Sequence, residues 1–266
     1  MEMLTVSDLC LSFGGLQVLS DVSFNVEQGE LFAIIGPNGA GKTSILNSIS
    51  GFYHPNKGGV HLEGKEITHL SPDRRAAMGL GRTFQNIALY RGMSVLDNIK
   101  LGAHVHLRTG LLSSLIYWGK PHREEMELRR EIEEEVIDFL EIEPIRKLPV
   151  GSLAYGLQKR VELARALAMR PKILLMDEPV AGMNAEETED MARFILDIKE
   201  ERNMTIVLIE HDMKVIMDIS DRVLVLNFGQ TLAEGKPEDV QRHPEVVKAY
   251  LGEKKAQDGH LSTTVG

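Results

Sequence analysis

Short apolar runs alternate with amphipathic stretches along this chain, and that pattern is typical of an α/β fold. Runs of four or five mainly apolar residues, bounded by polar or glycine positions, indicate strands buried on both faces of a parallel sheet. Amphipathic stretches over 157–169 and 185–200 precede two of the runs and predict helices. The apolar runs cover 31–35, 173–176, 205–209 and 223–226. The pattern predicts a doubly wound, mostly parallel sheet.

Two parts of the chain depart from this pattern. Residues 4–13 and 22–26 alternate between apolar and polar positions, and 58–67 reads as a hairpin, so we expect a small antiparallel sheet there. Residues 95–143 carry apolar positions near helical spacing around an almost wholly charged run, 123–135. This region predicts a helical insertion with one solvated face.

We expect one domain over residues 1–252, followed by a loosely ordered, polar tail at 253–266. The predicted parts interleave along the chain. The antiparallel β part takes 1–30 and 58–70, the core takes 31–57, 71–90 and 160–240, and the helical subdomain takes about 91–159.

Composition narrows the classes of function. A formal net charge of −9 and a pI near 5.5 argue against a large basic surface, so we expect no nucleic-acid partner. Cys10 is the single cysteine, which excludes an internal disulfide and fits a reducing compartment. No apolar stretch reaches 18 residues and the first residues do not resemble a signal peptide, so we expect the chain not to cross a membrane.

A glycine-rich octapeptide, GPNGAGKT at 36–43, joins the strand predicted at 31–35 to a helix start. It matches the phosphate loop G-x-x-x-x-G-K-[ST], in which backbone N–H groups and a helix N-terminus hold phosphate. Lys42 adds a full positive charge, and the Thr43 hydroxyl is suited to ligate Mg²⁺. The sequence therefore predicts a nucleoside triphosphate site. Its predicted contacts are Gly36, Pro37, Asn38, Gly39, Ala40, Gly41, Lys42, Thr43 and Ser44.

Acidic and imidazole side chains follow the next two buried runs. Asp177 and Glu178 come directly after 173–176, and His211 follows 205–209. Because carboxyl ends of parallel strands share one crevice, we expect all three near Lys42. Asp177 is suited to hold hydrated Mg²⁺, and Glu178 to polarise the attacking water as a general base. His211 is suited to contact the γ-phosphate.

Taken together, these residues resemble the ATP-binding cassette ATPases, the motor subunits of ABC transporters, over nearly the whole chain. The resemblance implies an α/β fold of the P-loop NTPase (RecA-like) type, with a mostly parallel sheet core, a small antiparallel β subdomain and an inserted α-helical subdomain. It implies ATP and Mg²⁺ as cofactors, and ATP hydrolysis coupled to transmembrane solute transport. It also implies that Phe13 stacks on adenine, that Val18 makes a nearby apolar contact, and that Gln85 reaches Mg²⁺ and the attacking water.

The signature peptide of that family, usually Leu-Ser-Gly-Gly-Gln, is altered to LAYGL at 153–157. Ala154 lacks the serine hydroxyl that normally bonds the γ-phosphate. Backbone N–H groups of Ala154, Tyr155 and Gly156, together with the helix dipole, can still bind phosphate, so we expect a weakened but working contact. Asn184 replaces an aspartate in the loop 181–184, which bears on communication between paired sites.

The altered peptides themselves resemble a narrower group, the ATPases of branched-chain amino-acid importers. They are LAYG at 153–156, AGMN at 181–184, IEHDMK at 209–214 and PEVVKAYLG at 244–252. The resemblance implies a second ATPase subunit, identical or homologous, paired head to tail. It also implies membrane permease subunits, indirectly a periplasmic or extracellular solute-binding protein, and a peripheral position on the cytoplasmic face of the inner (plasma) membrane.

Three alternatives stay open on the sequence. Importers of urea, amides or aromatic acids have similar ATPases. A soluble ABC protein outside transport is another reading, although long coiled coils, zinc modules and a second cassette are missing from the sequence. A regulatory subunit that binds but does not hydrolyse ATP is the third, motivated by Ala154 and Asn184.

Two further groups of side chains have weaker patterns. Tyr90, Met93 and Leu96 are candidates for permease contact, with simple packing as the competing interpretation. His104 and His106 form an H-x-H pair without a third ligand nearby in sequence, so we expect no metal site there.

Overall fold

The computed structural model describes residues 1–103, 130 and 132–250. The predictions for His104, His106 and the tail at 253–266 lie outside these residues. The described strands are β1 Glu2–Phe13, β2 Leu16–Glu27, β3 Leu31–Ile35, β4 Lys57–Leu62, β5 Lys65–Glu66, β6 Leu80–Arg82, β7 Ile173–Asp177, β8 Thr205–Ile209, β9 Arg222–Asn227 and β10 Gln230–Gly235. The described α-helices are α1 Lys42–Ile49, α2 Pro72–Ala77, α3 Val95–Ala103, α4 Tyr155–Leu167, α5 Ala185–Arg202, α6 Met213–Ile219 and α7 Pro237–Arg242.

The chain forms two compact units. The first contains residues 1–75, 175–178 and 196–250, and the second contains the described parts of 76–174 together with 179–195. The subdomain ranges expected from the sequence divide the chain differently and stay a prediction. No described helix combines the length and the hydrophobicity that crossing a membrane requires.

The first unit contains the predicted small antiparallel sheet, with strand order β2-β1-β4-β5. Strands β1 and β2 form a hairpin whose last pair is Phe13 with Leu16, and β4 pairs with the other edge of β1. Both hairpin strands are longer than the alternating runs predicted, because backbone pairing runs from Glu2 with Glu27 to Phe13 with Leu16.

A second sheet in the first unit has the order β10-β9-β3-β8-β7. Strand β3 lies parallel to both β8 and β9, and Ile34 pairs with Ile209, so the carboxyl ends of β3 and β8 coincide. Every residue of β3, β7 and β8 is buried, which explains why these runs are continuously apolar. The mostly parallel core sheet is therefore confirmed.

A buried arginine closes the C-terminal end of α1. Arg75 Nη1 donates hydrogen bonds to the carbonyls of Ser48 and Ile49, each at 2.6 Å. Its other nitrogens donate to the carbonyls of Thr68 at 2.7 Å and Leu70 at 2.9 Å. Burial lowers the pKa of Arg75 to about 10, so the guanidinium stays charged at neutral pH. Arg75 therefore supplies donors to helix-end carbonyls that lack intrahelical partners.

In the second unit α4 packs against α3. The face of α4 carrying Val161, Ala164 and Leu167 is buried, as its apolar spacing predicts. Among the predicted permease contacts, Tyr90 and Met93 are exposed, but Leu96 is only 8% exposed. The prediction that Leu96 is a surface contact is therefore wrong, because this side chain is buried in the second unit.

Candidate active site

The octapeptide at 36–43 connects the buried strand β3 to the first residue of α1. Gly36 has φ of +150°, and a Cβ there would lie 2.2 Å from the carbonyl oxygen of Leu226. Only glycine lets the loop leave the sheet this close to β9. Helix α1 begins without an acidic residue in its first turn, so its N-terminal N–H groups keep the positive potential that attracts phosphate.

The Lys42 side chain is buried and folds back along the loop. Its Nζ donates hydrogen bonds to the carbonyls of Gly36 at 2.7 Å and Pro37 at 3.1 Å. The ammonium is therefore held inside the loop by two backbone oxygens. A charge held this way, next to a helix N-terminus, suits a polyphosphate.

Hydrogen bonds from outside the octapeptide fix its far side. The N–H of Gly229 donates to the carbonyl of Ala40 at 3.0 Å, and the N–H of Ser20 donates to the carbonyl of Gly229 at 2.9 Å. The Val18 carbonyl oxygen would lie 3.1 Å from a Cβ on Gly41. Val18 therefore lies against the phosphate loop, and its contact with a nucleotide stays a prediction.

An aromatic pair stands at the end of the first hairpin. Phe13 is 47% exposed, and its ring meets that of Tyr53 edge to face, with centroids 5.0 Å apart. Sequence reasoning missed Tyr53, because it follows α1 in an irregular segment with no motif. A purine can stack on an exposed ring that a neighbouring ring holds in place.

Asp177 ends β7 at the carboxyl edge of the core sheet, and Glu178 follows it directly. Asp177 is buried, while Glu178 has a positive φ of +51°. The N–H of Glu178 donates to the carbonyl of Ile209 at 2.9 Å, which joins the end of β7 to the end of β8. The chain turn after β7 thus begins at Glu178.

His211 follows β8 and approaches the same carboxylate. Its Nδ1 is 3.9 Å from Glu178 Oε1 and 3.8 Å from Glu210 Oε2. The buried Glu210 also accepts a hydrogen bond from the His211 N–H at 3.0 Å. Glu210 had no role in the sequence interpretation, yet it fixes the backbone N–H of His211. Asp212 caps α6 by accepting from the N–H groups of Lys214 and Val215, so its role is structural.

Two of these side chains suit a divalent cation. The Thr43 hydroxyl and the Asp177 carboxylate are hard oxygen donors, the ligand type that Mg²⁺ takes together with phosphate oxygens and water. Within the described residues there is no group of three or more histidine, cysteine, aspartate or glutamate residues that would hold a metal by themselves. The two hard oxygen donors, Thr43 and Asp177, fit Mg²⁺ that is bound together with phosphate oxygens.

Gln85, Ala154, Tyr155 and Gly156 belong to the second unit. Helix α4 begins at Tyr155 with no side-chain cap and no acidic residue in its first turn. A Cβ on Gly156 would lie 2.4 Å from Glu187 Oε1, so the glycine leaves room for a carboxylate that the sequence interpretation missed. Gln85 and Ala154 are both exposed. Their contacts with nucleotide stay predictions.

Family models match two parts of the sequence. Residues 19–181 match the model described as ABC transporter, and residues 230–256 match the model described as branched-chain amino acid ATP-binding cassette transporter. A similar curated relative is the high-affinity branched-chain amino acid transport ATP-binding protein BraF of Pseudomonas aeruginosa. It is 43% identical over 253 residues, covering 94% of this chain and 98% of the relative.

Solved structures agree with these matches. The ADP conformation of an ATP-binding cassette of an ABC transporter has a TM-score of 0.82 and 33% identity, covering 95% of this chain and 100% of that one. A dimeric, post-hydrolysis cassette bound to ADP and Pi has a TM-score of 0.74 and 26% identity, covering 88% and 99%. These likenesses confirm the predicted fold class. The chain belongs to the ABC transporter family and is one of its nucleotide-binding ATPases.

Proposed function

We propose that this chain is the ATP-hydrolysing motor subunit of an importer for branched-chain amino acids. The observation that carries the motor function is that β3, which leads into the phosphate loop, ends beside β8, and that Glu178 and His211 approach each other at the end of β8. The match over 230–256 and the name of the relative from Pseudomonas aeruginosa support the solute class.

ATP binding follows from the groups in the first unit. Lys42 and the N–H groups at the start of α1 neutralise the β- and γ-phosphates, while Phe13, supported by Tyr53, stacks on adenine. Thr43 and Asp177 would hold Mg²⁺, which would neutralise phosphate charge.

Hydrolysis uses Glu178 and His211. Glu178 orients a water and accepts its proton as the water oxygen bonds to the γ-phosphorus. The bond from that phosphorus to the β–γ bridging oxygen breaks, and its electron pair stays on ADP. His211 donates a hydrogen bond to the γ-phosphate, and Glu210 fixes the His211 backbone N–H. The products are ADP and inorganic phosphate.

Each site is completed by a second copy of this chain or a homologous subunit. The start of α4 is an anion site formed by Ala154, Tyr155 and Gly156, and we assign it to the γ-phosphate held by the opposite subunit. The family resemblance supports a role for Gln85 at Mg²⁺ and the attacking water. The solved dimeric relative with ADP and Pi supports the pairing of two ATPase subunits. ATP closes the dimer, and hydrolysis releases it, because the γ-phosphate is the group that differs between states.

Permease subunits receive this motion at the cytoplasmic face of the inner membrane, and a solute-binding protein delivers the amino acid from the other side. The exposed Tyr90 and Met93 of the second unit are candidates for the permease contact. Disruption of both side chains is expected to weaken co-purification with co-expressed permease. Unchanged co-purification would show that Tyr90 and Met93 are not part of the permease interface.

The decisive experiment reconstitutes the ATPase with its permease in vesicles. ATP-driven uptake of radiolabelled leucine is expected with the wild type and not with Glu178→Gln, whereas Glu186→Gln, an exposed acid of α5, serves as the control. Uptake of urea, an amide or an aromatic acid in place of leucine would correct the solute class. The Glu178→Gln protein is also expected to dimerise at saturating ATP, and a protein that stays monomeric with its partner subunit present would contradict the paired site.

A further inference from the structure

One face of α4 carries three charged side chains, Lys159, Glu162 and Arg165, at spacings of three residues. Lys159 is 3% exposed and Glu162 is 2% exposed, although charged groups are rarely this buried without partners. Their Nζ and Oε2 atoms lie 4.0 Å apart. All three side chains reach the same neighbouring segment, residues 84–88, which contains Gln85.

The three side chains bond the backbone of that segment. Lys159 Nζ donates to the Gln85 carbonyl at 2.9 Å and to the Phe84 carbonyl at 3.5 Å. The Phe84 N–H donates to Glu162 Oε1 at 3.3 Å. Arg165 Nη1 donates to the Ala88 carbonyl at 2.5 Å. Donors and acceptor thus hold the segment at both ends.

The segment lacks regular structure of its own. Strand β6 ends at Arg82, and α3 begins at Val95, so the backbone around Gln85 is not held in a helix or a sheet ladder. The Gln85 side chain is exposed, while its carbonyl is tied to α4. The direction in which the Gln85 side-chain amide points therefore depends on the contacts that fix the backbone on either side of Gln85.

We propose that Lys159, Glu162 and Arg165 are positioning residues that fix the loop carrying Gln85 to α4. The anion site at the start of α4 and the Gln85 amide then move as one rigid piece. This inference rests on the proposed function, because it concerns how Gln85 is presented for hydrolysis. It assigns no contact with nucleotide to the three charged residues.

The test separates positioning from general stability. Lys159→Met keeps the length of the side chain and removes its donors, and Lys159→Arg is the conservative variant. Arg160→Met is the matched control, since Arg160 leaves the same helix toward Asp190 and Phe194 rather than toward residues 84–88. ATP affinity, kcat and amide hydrogen exchange of residues 84–88 are measured for the full-length protein assembled with its partner subunit and permease.

We expect Lys159→Met to bind ATP with an affinity close to that of the wild type, because the phosphate loop is untouched. Its kcat is expected to fall by up to about 100-fold, the scale of a small misplacement of a reacting group. Amides of 84–88 are expected to exchange faster. Lys159→Arg should restore both values, and Arg160→Met should change neither.

Wild-type kcat or unchanged exchange at 84–88 in a folded Lys159→Met protein would overturn the proposal. If that variant does not fold, Arg165→Gln, at a less buried position, makes the same test at the other end of the segment, and wild-type behaviour there would overturn it too. Failure of the proposed function has a different signature. In that case the wild type does not hydrolyse ATP, or Gln85→Ala hydrolyses it normally, while the exchange comparison still decides whether α4 holds the loop.

Discussion

Asn184 and Glu187 cap α5 reciprocally. The N–H of Asn184 donates to Glu187 Oε2 at 3.1 Å, and the N–H of Glu187 donates to Asn184 Oδ1 at 3.0 Å. This arrangement is a capping box, with an asparagine in the position that serine, threonine or aspartate also fill well. The asparagine that departs from the family pattern therefore fills an N-cap position that an aspartate would also suit.

Asn184→Asp is expected to leave stability unchanged, because the carboxylate accepts the same hydrogen bond from Glu187. Asn184→Ala removes that acceptor and should cost about 0.5–2 kcal/mol of unfolding free energy. Urea unfolding of the three proteins tests this. Equal losses for the aspartate and alanine variants would show that the cap does not depend on the side-chain oxygen.

Lys42→Ala is expected to lower kcat/KM for ATP by about 100- to 1000-fold, as loss of a phosphate-stabilising group does. The reason is that the ammonium is held inside the phosphate loop by the carbonyls of Gly36 and Pro37. Lys57→Ala, which removes an exposed ammonium from β4, is the control. Release of inorganic phosphate measures both, and wild-type turnover in Lys42→Ala would refute the site.

Arg75→Met should destabilise the first unit by at least about 3 kcal/mol, since each buried carbonyl left without a donor costs about 1–3 kcal/mol. Arg75→Lys should recover only part of the loss, because one ammonium cannot match the fork of a guanidinium. Arg74→Met, at the exposed neighbour, is expected to stay within about 0.5 kcal/mol. Denaturant unfolding gives all three values, and similar stabilities for Arg74→Met and Arg75→Met would contradict the role of the buried arginine.

The contribution of Glu162 to the free energy of unfolding should depend on pH. Burial raises the pKa of Glu162, against the lowering effect of Lys159 and Arg165. The folded state therefore binds this proton more tightly than the unfolded state, whose carboxyl has a pKa near 4.5. As pH rises above that value the ionised carboxylate is disfavoured by folding, and stability falls.

Glu162→Gln removes this titration and keeps an oxygen that accepts from Phe84. The variant should accordingly gain melting temperature relative to the wild type as pH rises from 4.5 toward 7. Thermal unfolding at several pH values measures the difference. A constant difference across this range would show that Glu162 does not titrate differently in the folded protein.

The phosphate loop could be predicted because its groups are contiguous in the sequence. Asp177, Glu178 and His211 could be predicted because they end consecutive buried strands, and strand ends share one edge of a parallel sheet. Tyr53, Glu187 and Glu210 had no such pattern. Their roles come from tertiary packing, in which an irregular segment, a helix cap or a buried carboxylate meets a motif from elsewhere in the chain.

The periodicity of the sequence gave less information about which side chains are buried than about where the helices lie. It predicted α4 and α5 with ends a few residues from those observed, yet it did not reveal that Lys159 and Glu162 point into the protein. Leu96 shows the same limit, since a hydrophobic residue at a helix start suits a partner surface and a core equally well. The burial of these side chains depends on the segment that packs against each helix, and the local sequence pattern does not describe that segment.

The left-handed backbone conformation at Glu178 lowers stability at a residue whose carboxylate is proposed to be needed for hydrolysis. Glutamate has no intrinsic preference for φ of +51°, and a side chain held in this region costs on the order of 1 kcal/mol. Glycine would relieve that cost and asparagine would reduce it, but both would remove the carboxylate proposed to activate water. Selection of this chain for thermal stability alone would therefore favour variants at position 178 that bind ATP and no longer turn it over.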